Sequence, residues 1–164
     1  MTNNTLLSLA DAVLGEARAQ GLMVVTAESC TGGLVAATLT DIAGSSDVFE
    51  RGFITYSNEA KHQMLDVSAE SLTRFGAVSE AVAKEMAYGA LANSRGDIAV
   101  SITGVAGPGG GSAAKPVGLV WIGIAMQGET PTATECRFGP LRRAEIRRLT
   151  TETALKLILE KLRP

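Results

Sequence analysis

The sequence predicts an α/β fold of three layers, α/β/α, built on a mixed and mainly parallel sheet. Helical and strand patterns alternate through the first two thirds of the chain, and two adjacent strand segments then suggest a hairpin. Glycine-rich turns directly follow two of the predicted strands. The 164 residues suffice for one domain with a proper core, so we expect a single domain over residues 1–164.

Apolar residues at three- and four-residue spacing predict the helices, and short apolar or β-branched runs predict the strands. We expect helices at 5–20, from 34 to about 42, at 59–65 and 68–75, from Ser79 onward, and at 142–162. We expect strands at 22–27, 53–56, 97–103, 117–126 and 132–138. Small polar residues and glycines predict loops at 43–47 and 104–112.

Composition and charge exclude several classes of protein. The net charge is −2 and the only clustered basic residues are arginine pairs near the C-terminus, so nucleic acid is not the expected partner. No apolar run approaches the roughly 20 residues of a membrane span. Two cysteines and an N-terminus without a basic segment favour the cytoplasm. One histidine and two distant cysteines predict neither a metal site nor a cofactor.

The turn after the first strand is the strongest candidate site, because ligands of α/β proteins bind where strands turn into helices. Ser29 lies in this turn, close to the free amides and positive dipole of a helix N-terminus. Gly32 and Gly33 allow a substrate to approach the backbone. Cys30 is either a second nucleophile or a small buried hydrophobe. Glu28 either holds a substrate amide or a partner lysine, or is a surface carboxylate.

A serine nucleophile needs a base, and the sequence offers more than one. His62 with Asp66 makes a Ser-His-Asp triad possible. Lys61 is the other candidate, with the Tyr56 hydroxyl expected to relay or orient the proton, and its pKa would have to fall from ~10.4 towards 7–8. Spacing alone favours a surface lysine at position 61, and Ser57 is better used as a helix cap than as the partner of Lys61.

Two further features could bind an anion. The amides of the glycine loop at 104–111 could wrap a phosphate, although the loop lacks the Gly-Lys-Ser/Thr of a Walker A motif and could simply connect a hairpin. Arg143 and Arg147 share a helix face and could contact a phosphate, or could be solvated.

Several motifs resemble the CinA C-terminal domain family over nearly the whole chain. They are Thr26-Ala27-Glu28-Ser29-Cys30-Thr31-Gly32-Gly33, Gly44-Ser45-Ser46, Gly52-Phe53-Ile54-Thr55-Tyr56-Ser57-Asn58-Glu59-Ala60-Lys61, Gly76-Ala77-Val78-Ser79, Thr103-Gly104-Val105-Ala106-Gly107-Pro108 and Lys115-Pro116-Val117-Gly118. The chain resembles the stand-alone members, which lack the molybdopterin-binding-like domain of full-length relatives. One departure is Gly139-Pro140-Leu141-Arg142-Arg143, where family members often have Gly-Asp-Arg.

The resemblance implies deamidation of nicotinamide mononucleotide (NMN) to nicotinate mononucleotide and ammonia, a step in pyridine-nucleotide recycling. It implies Ser29 as nucleophile, Lys61 as base and Tyr56 as assistant, and so favours Lys61 over His62. The expected substrate-binding residues are Glu28, Cys30, Thr31, Gly32, Gly33, Ser45, Thr103, Gly104, Gly107 and Arg143.

Two other functions stay open at this point. A non-catalytic nucleotide-binding or regulatory module, linked to competence or DNA damage, would bind NMN without releasing ammonia. An esterase or peptidase with the same residues would hydrolyse simple esters and leave NMN nearly untouched. The apolar strand at 117–126 and the long last helix could also serve a homo-oligomer.

Overall fold

The computed structural model describes residues 2–164, with side chains from residue 4 onward. Its helices are α1 (Thr2–Gln20), α2 (Leu34–Thr40), α3 (Asn58–Leu65), α4 (Ala69–Phe75), α5 (Glu80–Ala92) and α6 (Arg143–Leu162). Its strands are β1 (Val24–Glu28), β2 (Phe49–Ile54), β3 (Ile98–Gly104), β4 (Leu119–Met126) and β5 (Thr132–Arg137). A single 3₁₀ turn at Ser45–Asp47 interrupts the loop expected between α2 and β2.

The five strands form one mixed sheet in the order β2-β1-β3-β4-β5. Strand β1 pairs in parallel with both β2 and β3, whereas β3–β4 and β4–β5 are antiparallel. The mixed sheet is therefore confirmed: four of the five strands run in the same direction, and two of the four strand pairings are parallel. Parallel strands bring their carboxyl ends to one edge, so the segments that follow β1, β2 and β3 meet there.

The two faces of the sheet are covered by different helices, as the three-layer prediction requires. Along β3, Ile98, Val100 and Ile102 belong to a core with α1, α2 and α6, while Ala99 belongs to a core with α5. This alternation follows from the two-residue period of a strand. At about 25 cal/mol per Å² of apolar surface removed from water, these two cores are the main stabilising contribution.

Strand β2 is shifted from its predicted position. The aromatic and β-branched residues predicted a strand at 53–56, but β2 begins at Phe49 and ends at Ile54. Phe49 pairs with Val24 and Ile54 with Glu28, so the partner strand, not the local composition, sets these limits. Strand β2 lies at the edge of the sheet, so part of it is exposed and charged. This part lacks the apolar pattern from which strands are predicted.

Serine side chains cap three helices, and the cap at Ser57 confirms the sequence interpretation. The Ser57 hydroxyl accepts a hydrogen bond from the Ala60 amide at 3.0 Å, and that of Ser79 accepts from Val82 at 3.3 Å. Ser68 caps α4 in the same way. Each serine satisfies one of the amides that a helix leaves unpaired at its start.

Within residues 2–164, no helix combines the length and the apolar character needed to cross a bilayer.

Candidate active site

The chain turns sharply between β1 and α2, and Ser29 begins this serine turn (residues 29–33). The Ser29 amide donates to the Ile102 carbonyl of β3 at 3.0 Å, and the Gly32 amide closes the turn onto the Ser29 carbonyl at 3.0 Å. Gly33 has a φ of 103°, in the left-handed region where a side chain would be strained. The turn therefore fixes Ser29 at the carboxyl edge of the sheet, where it is 8% exposed.

Glu28 is a fully buried carboxylate that supports this turn from behind. One of its oxygens accepts from the Thr31 hydroxyl at 2.6 Å and from the Val35 amide at 2.9 Å. The other accepts from the Ala36 amide at 3.1 Å. These amides belong to the first turn of α2, where a negative charge is favoured by the helix dipole. Glu28 is neither a surface carboxylate nor part of the cavity wall; its oxygens are used within the protein.

Lys61 is the residue that faces Ser29. It follows the Ser57 cap in α3, is 1% exposed, and its Nζ lies 3.0 Å from Ser29 Oγ. The same Nζ donates to the Thr55 carbonyl at 3.0 Å. None of the described carboxylates forms a salt bridge with it, and burial lowers the pKa of the Lys61 amine. When this amine is neutral, it can donate an N–H to the Thr55 carbonyl and still accept the proton of the Ser29 hydroxyl on its lone pair.

Tyr56 has a different partner from the expected one. Its hydroxyl accepts from Arg143 Nη2 at 2.8 Å, and Arg143 also donates to the Gly107 carbonyl at 2.8 Å. The ring is 61% exposed. The predicted hydrogen-bonded relay between Ser29 and Lys61 is therefore not present: Lys61 reaches Ser29 directly, and Tyr56 lies at the rim, linked to α6 and the glycine loop.

The structure separates the alternative base and the alternative nucleophile from this chemistry. His62 is exposed, and its Nδ1 donates to the Val67 carbonyl at 2.8 Å. The Asp66 carboxylate accepts from Asn93 at 3.2 Å, so the Ser-His-Asp triad does not form. Cys30 is 6% exposed, and burial raises the pKa of its thiol to about 11. At neutral pH this cysteine is a buried thiol and a poor nucleophile.

A polar cavity of ≈ 280 Å³ opens above Ser29 and Lys61. Eight of the predicted site residues line it, namely Ser29, Cys30, Tyr56, Lys61, Thr103, Gly104, Gly107 and Arg143. Two larger cavities, of ≈ 620 and ≈ 450 Å³, contain neither Ser29 nor Lys61. We refer to the 280 Å³ space as the serine cavity.

Five predicted binding residues do not line the serine cavity. Glu28, Thr31, Gly32 and Gly33 shape the serine turn from within or behind it. Ser45 lies just before β2, whose first residue, Phe49, pairs with the first residue of β1. It is therefore at the amino edge of the sheet, opposite Ser29, and is not brought to the site.

Sequence reasoning assigned no role to Asn58, Ala77 and Val78, which also line the cavity. Ala77 is held there because the Thr103 hydroxyl donates to its carbonyl at 2.8 Å. Asn58 and the pair Ala77-Val78 belong to two of the motifs that resemble the family, but no chemical property of their side chains indicated a site. Their positions depend on tertiary structure alone.

Main-chain amides at the cavity are available to a ligand. The amides of Cys30 in the serine turn and of Ala106 and Gly107 after β3 belong to residues that line the cavity, and they have no main-chain hydrogen-bond acceptor among the residues described. Gly107 adopts a φ of 74°, which favours glycine. Unpaired amides that surround a nucleophile can stabilise an oxyanion or hold a polar substrate group.

Comparison with known proteins identifies the family. The model of the CinA C-terminal domain family matches residues 6–162, and the chain belongs to this family. It is 54% identical over 159 residues to nicotinamide-nucleotide amidohydrolase PncC of Escherichia coli, covering 96% of this chain and 95% of that one. It is 48% identical to a CinA-like protein of Akkermansia muciniphila, covering 93% of this chain but only 37% of that longer protein.

Solved structures agree with this assignment. The competence/damage inducible protein CihA of Agrobacterium tumefaciens superposes with a TM-score of 0.94 at 51% identity, covering 98% of this chain and 96% of that one. A CinA superfamily protein of Klebsiella pneumoniae superposes with a TM-score of 0.91 at 36% identity, covering 96% and 97%. The predicted fold class is confirmed by both.

Proposed function

We propose that the chain is an amidohydrolase that deamidates NMN to nicotinate mononucleotide and ammonia. The observation that carries this proposal is the 3.0 Å contact between Lys61 Nζ and Ser29 Oγ, both buried beneath the serine cavity. The name of the Escherichia coli relative, 54% identical over nearly the full length of both chains, supplies the substrate. In this proposal the enzyme works in the cytoplasm, in pyridine-nucleotide recycling, and needs no metal.

The first half of the reaction is acyl transfer to Ser29. Neutral Lys61 takes the hydroxyl proton while Ser29 Oγ forms a bond to the carboxamide carbon, whose oxygen becomes negatively charged. In this proposal the cavity-lining amides of Cys30 and of Ala106 and Gly107 in the glycine loop stabilise this oxyanion, an effect worth roughly 3 kcal/mol per donor in serine hydrolases. Lys61 then returns the proton to the amide nitrogen, the carbon–nitrogen bond breaks, and ammonia leaves.

The second half regenerates the enzyme. A water molecule takes the place of ammonia, gives a proton to Lys61, and attacks the acyl carbon. The ester bond to Ser29 breaks, Ser29 recovers the proton from Lys61, and nicotinate mononucleotide departs. The same lysine thus acts as base and acid in each half, which requires a pKa nearer to neutrality than that of a free amine.

The other residues of the serine cavity have binding roles in this proposal. Tyr56 and Arg143 form a hydrogen-bonded pair at the rim, where they can orient the substrate and where Arg143 can meet its phosphate. Thr103, Gly104 and Gly107 supply further parts of the cavity wall. Tyr56 therefore assists from the rim.

The test is ammonia release from NMN by the purified protein and by Ser29→Ala. We expect metal-independent turnover in the first and none above background in the second. Undiminished turnover in Ser29→Ala would refute the nucleophile. Saturable NMN binding without ammonia would indicate a binding or regulatory module, and hydrolysis of simple esters without NMN turnover would indicate an esterase.

A further inference from the structure

Arg147, one helical turn after Arg143 on α6, is bound to the serine turn. Its Nε donates to the Cys30 carbonyl at 3.2 Å and its Nη2 to the Thr31 carbonyl at 2.9 Å. Unlike Arg143, it does not line the serine cavity. None of the carboxylates described in the structure forms a salt bridge with it, although neighbouring Arg148 pairs with Glu145 and Glu152. A half-buried guanidinium thus binds only main-chain carbonyls next to the nucleophile.

These two hydrogen bonds fix the orientation of two peptide planes. A trans peptide is planar, so its N–H points away from its carbonyl. Holding the Thr31 carbonyl orients the Gly32 amide, which donates to the Ser29 carbonyl at 3.0 Å. The Ser29 carbonyl in turn shares its peptide plane with the Cys30 amide, and Cys30 lines the serine cavity. Arg147 therefore determines where an unpaired donor beside Ser29 points.

The positive charge adds a second effect. Hydrogen bonds in a chain polarise one another, and a cation on a carbonyl strengthens the N–H donor of the same peptide unit. The chain runs from Arg147 to the Thr31 carbonyl and from the Gly32 amide to the Ser29 carbonyl, so the Cys30 amide at its end is made a better donor. Glu28 holds the Thr31 hydroxyl from the other side at 2.6 Å, so the residue is fixed at both its side chain and its main chain.

We propose that Arg147 is a positioning residue that, through the serine turn, orients and polarises the Cys30 amide for the oxyanion formed on attack by Ser29. The inference rests on the proposed function, because that attack creates the oxyanion. Arg147 itself contacts no reacting atom. Its contribution falls in the transition state, when charge develops on the substrate oxygen, and leaves ground-state binding nearly unchanged.

The experiment compares Arg147→Met and Arg147→Lys with Arg148→Met, a matched control that removes a half-buried arginine from the same helix. Kinetic constants for NMN and the thermal midpoint are measured for each. Since loss of an oxyanion donor costs about 100- to 1,000-fold, we expect misorientation of one to lower kcat by about 10- to 100-fold in Arg147→Met. KM should change by less than about twofold, because the contacts that bind the substrate in the ground state are retained. Arg147→Lys should restore part of kcat, and Arg148→Met should keep it.

The outcomes are distinct. Unchanged kcat in Arg147→Met, or a raised KM with unchanged kcat, would overturn the inference, the latter because Arg147 would then bind substrate directly. Equal losses of kcat in Arg147→Met and Arg148→Met would also overturn it. If the wild type released no ammonia from NMN, the proposed function would fail. The role of Arg147 would then be tested by the rate at which a fluorophosphonate labels Ser29, measured by intact mass. Slower labelling in Arg147→Met supports the inference; equal rates, or no labelling of the wild type, overturn it.

Discussion

The amine of Lys61 lies 3.0 Å from the hydroxyl of Ser29, and the lysine side chain is only 1% exposed. An unpaired ammonium at such depth is costly, so burial favours the neutral amine. The thiol of the adjacent Cys30 is also kept neutral by burial, which raises its pKa to about 11. In the proposed mechanism the floor of the serine cavity holds the nucleophile Ser29 and the base Lys61, and burial favours the uncharged form of that base.

The first prediction concerns pH. In the proposed mechanism the neutral amine of Lys61 is the active form, so kcat/KM for NMN should rise with pH through one ionisation and level off above it. Burial places this ionisation below the ordinary lysine value of 10.5. A profile measured from pH 6 to 10 checks this, and Cys30→Ala should retain the same rising limb. A rate that falls with increasing pH across this range, or a limb lost in Cys30→Ala, would contradict the assignment.

The lowered pKa of Lys61 also affects the stability of the protein. The folded protein holds the Lys61 proton more weakly than the unfolded chain, so the unfolded state binds more protons as pH falls below 10.5. The free energy of unfolding should therefore decrease from that pH down to the folded-state pKa and stay level below it. Urea unfolding measured across this pH range should show that the free energy of unfolding changes less with pH in Lys61→Met than in the wild type. The same pH dependence in both proteins would count against a lowered pKa of Lys61.

A second prediction separates Cys30 from the nucleophile. Cys30→Ala should keep kcat within about threefold, because a buried thiol with a raised pKa is not the attacking group and the main-chain amide remains. Ammonia release measures this directly, and slow alkylation by iodoacetamide at neutral pH provides an independent check. Loss of turnover as complete as in Ser29→Ala would mean that the thiol takes part in the chemistry.

A third prediction concerns the Tyr56–Arg143 pair. Tyr56→Phe removes a hydroxyl that is bonded to Arg143, not to Ser29 or Lys61, so KM should rise more than kcat falls. One lost hydrogen bond corresponds to about a 2- to 12-fold rise in KM. A double-mutant cycle with Arg143→Met should show coupling between the two residues. A kcat loss in Tyr56→Phe as large as that in Lys61→Met would restore the tyrosine to the proton relay.

A fourth prediction concerns Glu28. Glu28→Gln replaces a carboxylate oxygen, which accepts hydrogen bonds, by an amide NH₂ that faces the donors of Thr31 and α2. One buried donor loses its acceptor, so the free energy of unfolding should fall by about 1–3 kcal/mol. Urea unfolding measures this against Glu160→Gln, an exposed control on α6 that should stay within about 0.5 kcal/mol. Equal stability of the two variants would show that Glu28 does not brace the turn.

The sequence predicted the layers of the fold because those depend on local patterns. Apolar spacing identified the helices, and the buried strands had continuous apolar runs. The edge strand β2 was placed about four residues too late at its start, since its limits are set by pairing with β1. Local composition carries little information about a partner strand.

Local sequence patterns also predicted part of the site, and the rest depends on tertiary structure. Ser29 could be located from the strand-to-helix turn alone, but the choice of Lys61 over His62 came from the resemblance to the CinA C-terminal domain family. The two residues are adjacent in α3, and only the three-dimensional structure turns one inward and leaves the other exposed. Arg147 and the true partner of Tyr56 depend on how α6 packs across the sheet, which no spacing in the sequence reveals.

These adjacent residues also provide the most direct measurement of the central claim. Ammonia release from NMN is compared in Lys61→Met, which keeps an unbranched buried side chain, and in His62→Asn, which keeps a donor near the position of Nδ1. General bases contribute about 100- to 10,000-fold, so kcat/KM should fall by at least about 100-fold in Lys61→Met and stay within about twofold in His62→Asn. Wild-type turnover in a folded Lys61→Met protein, or a larger loss in His62→Asn, would contradict the account.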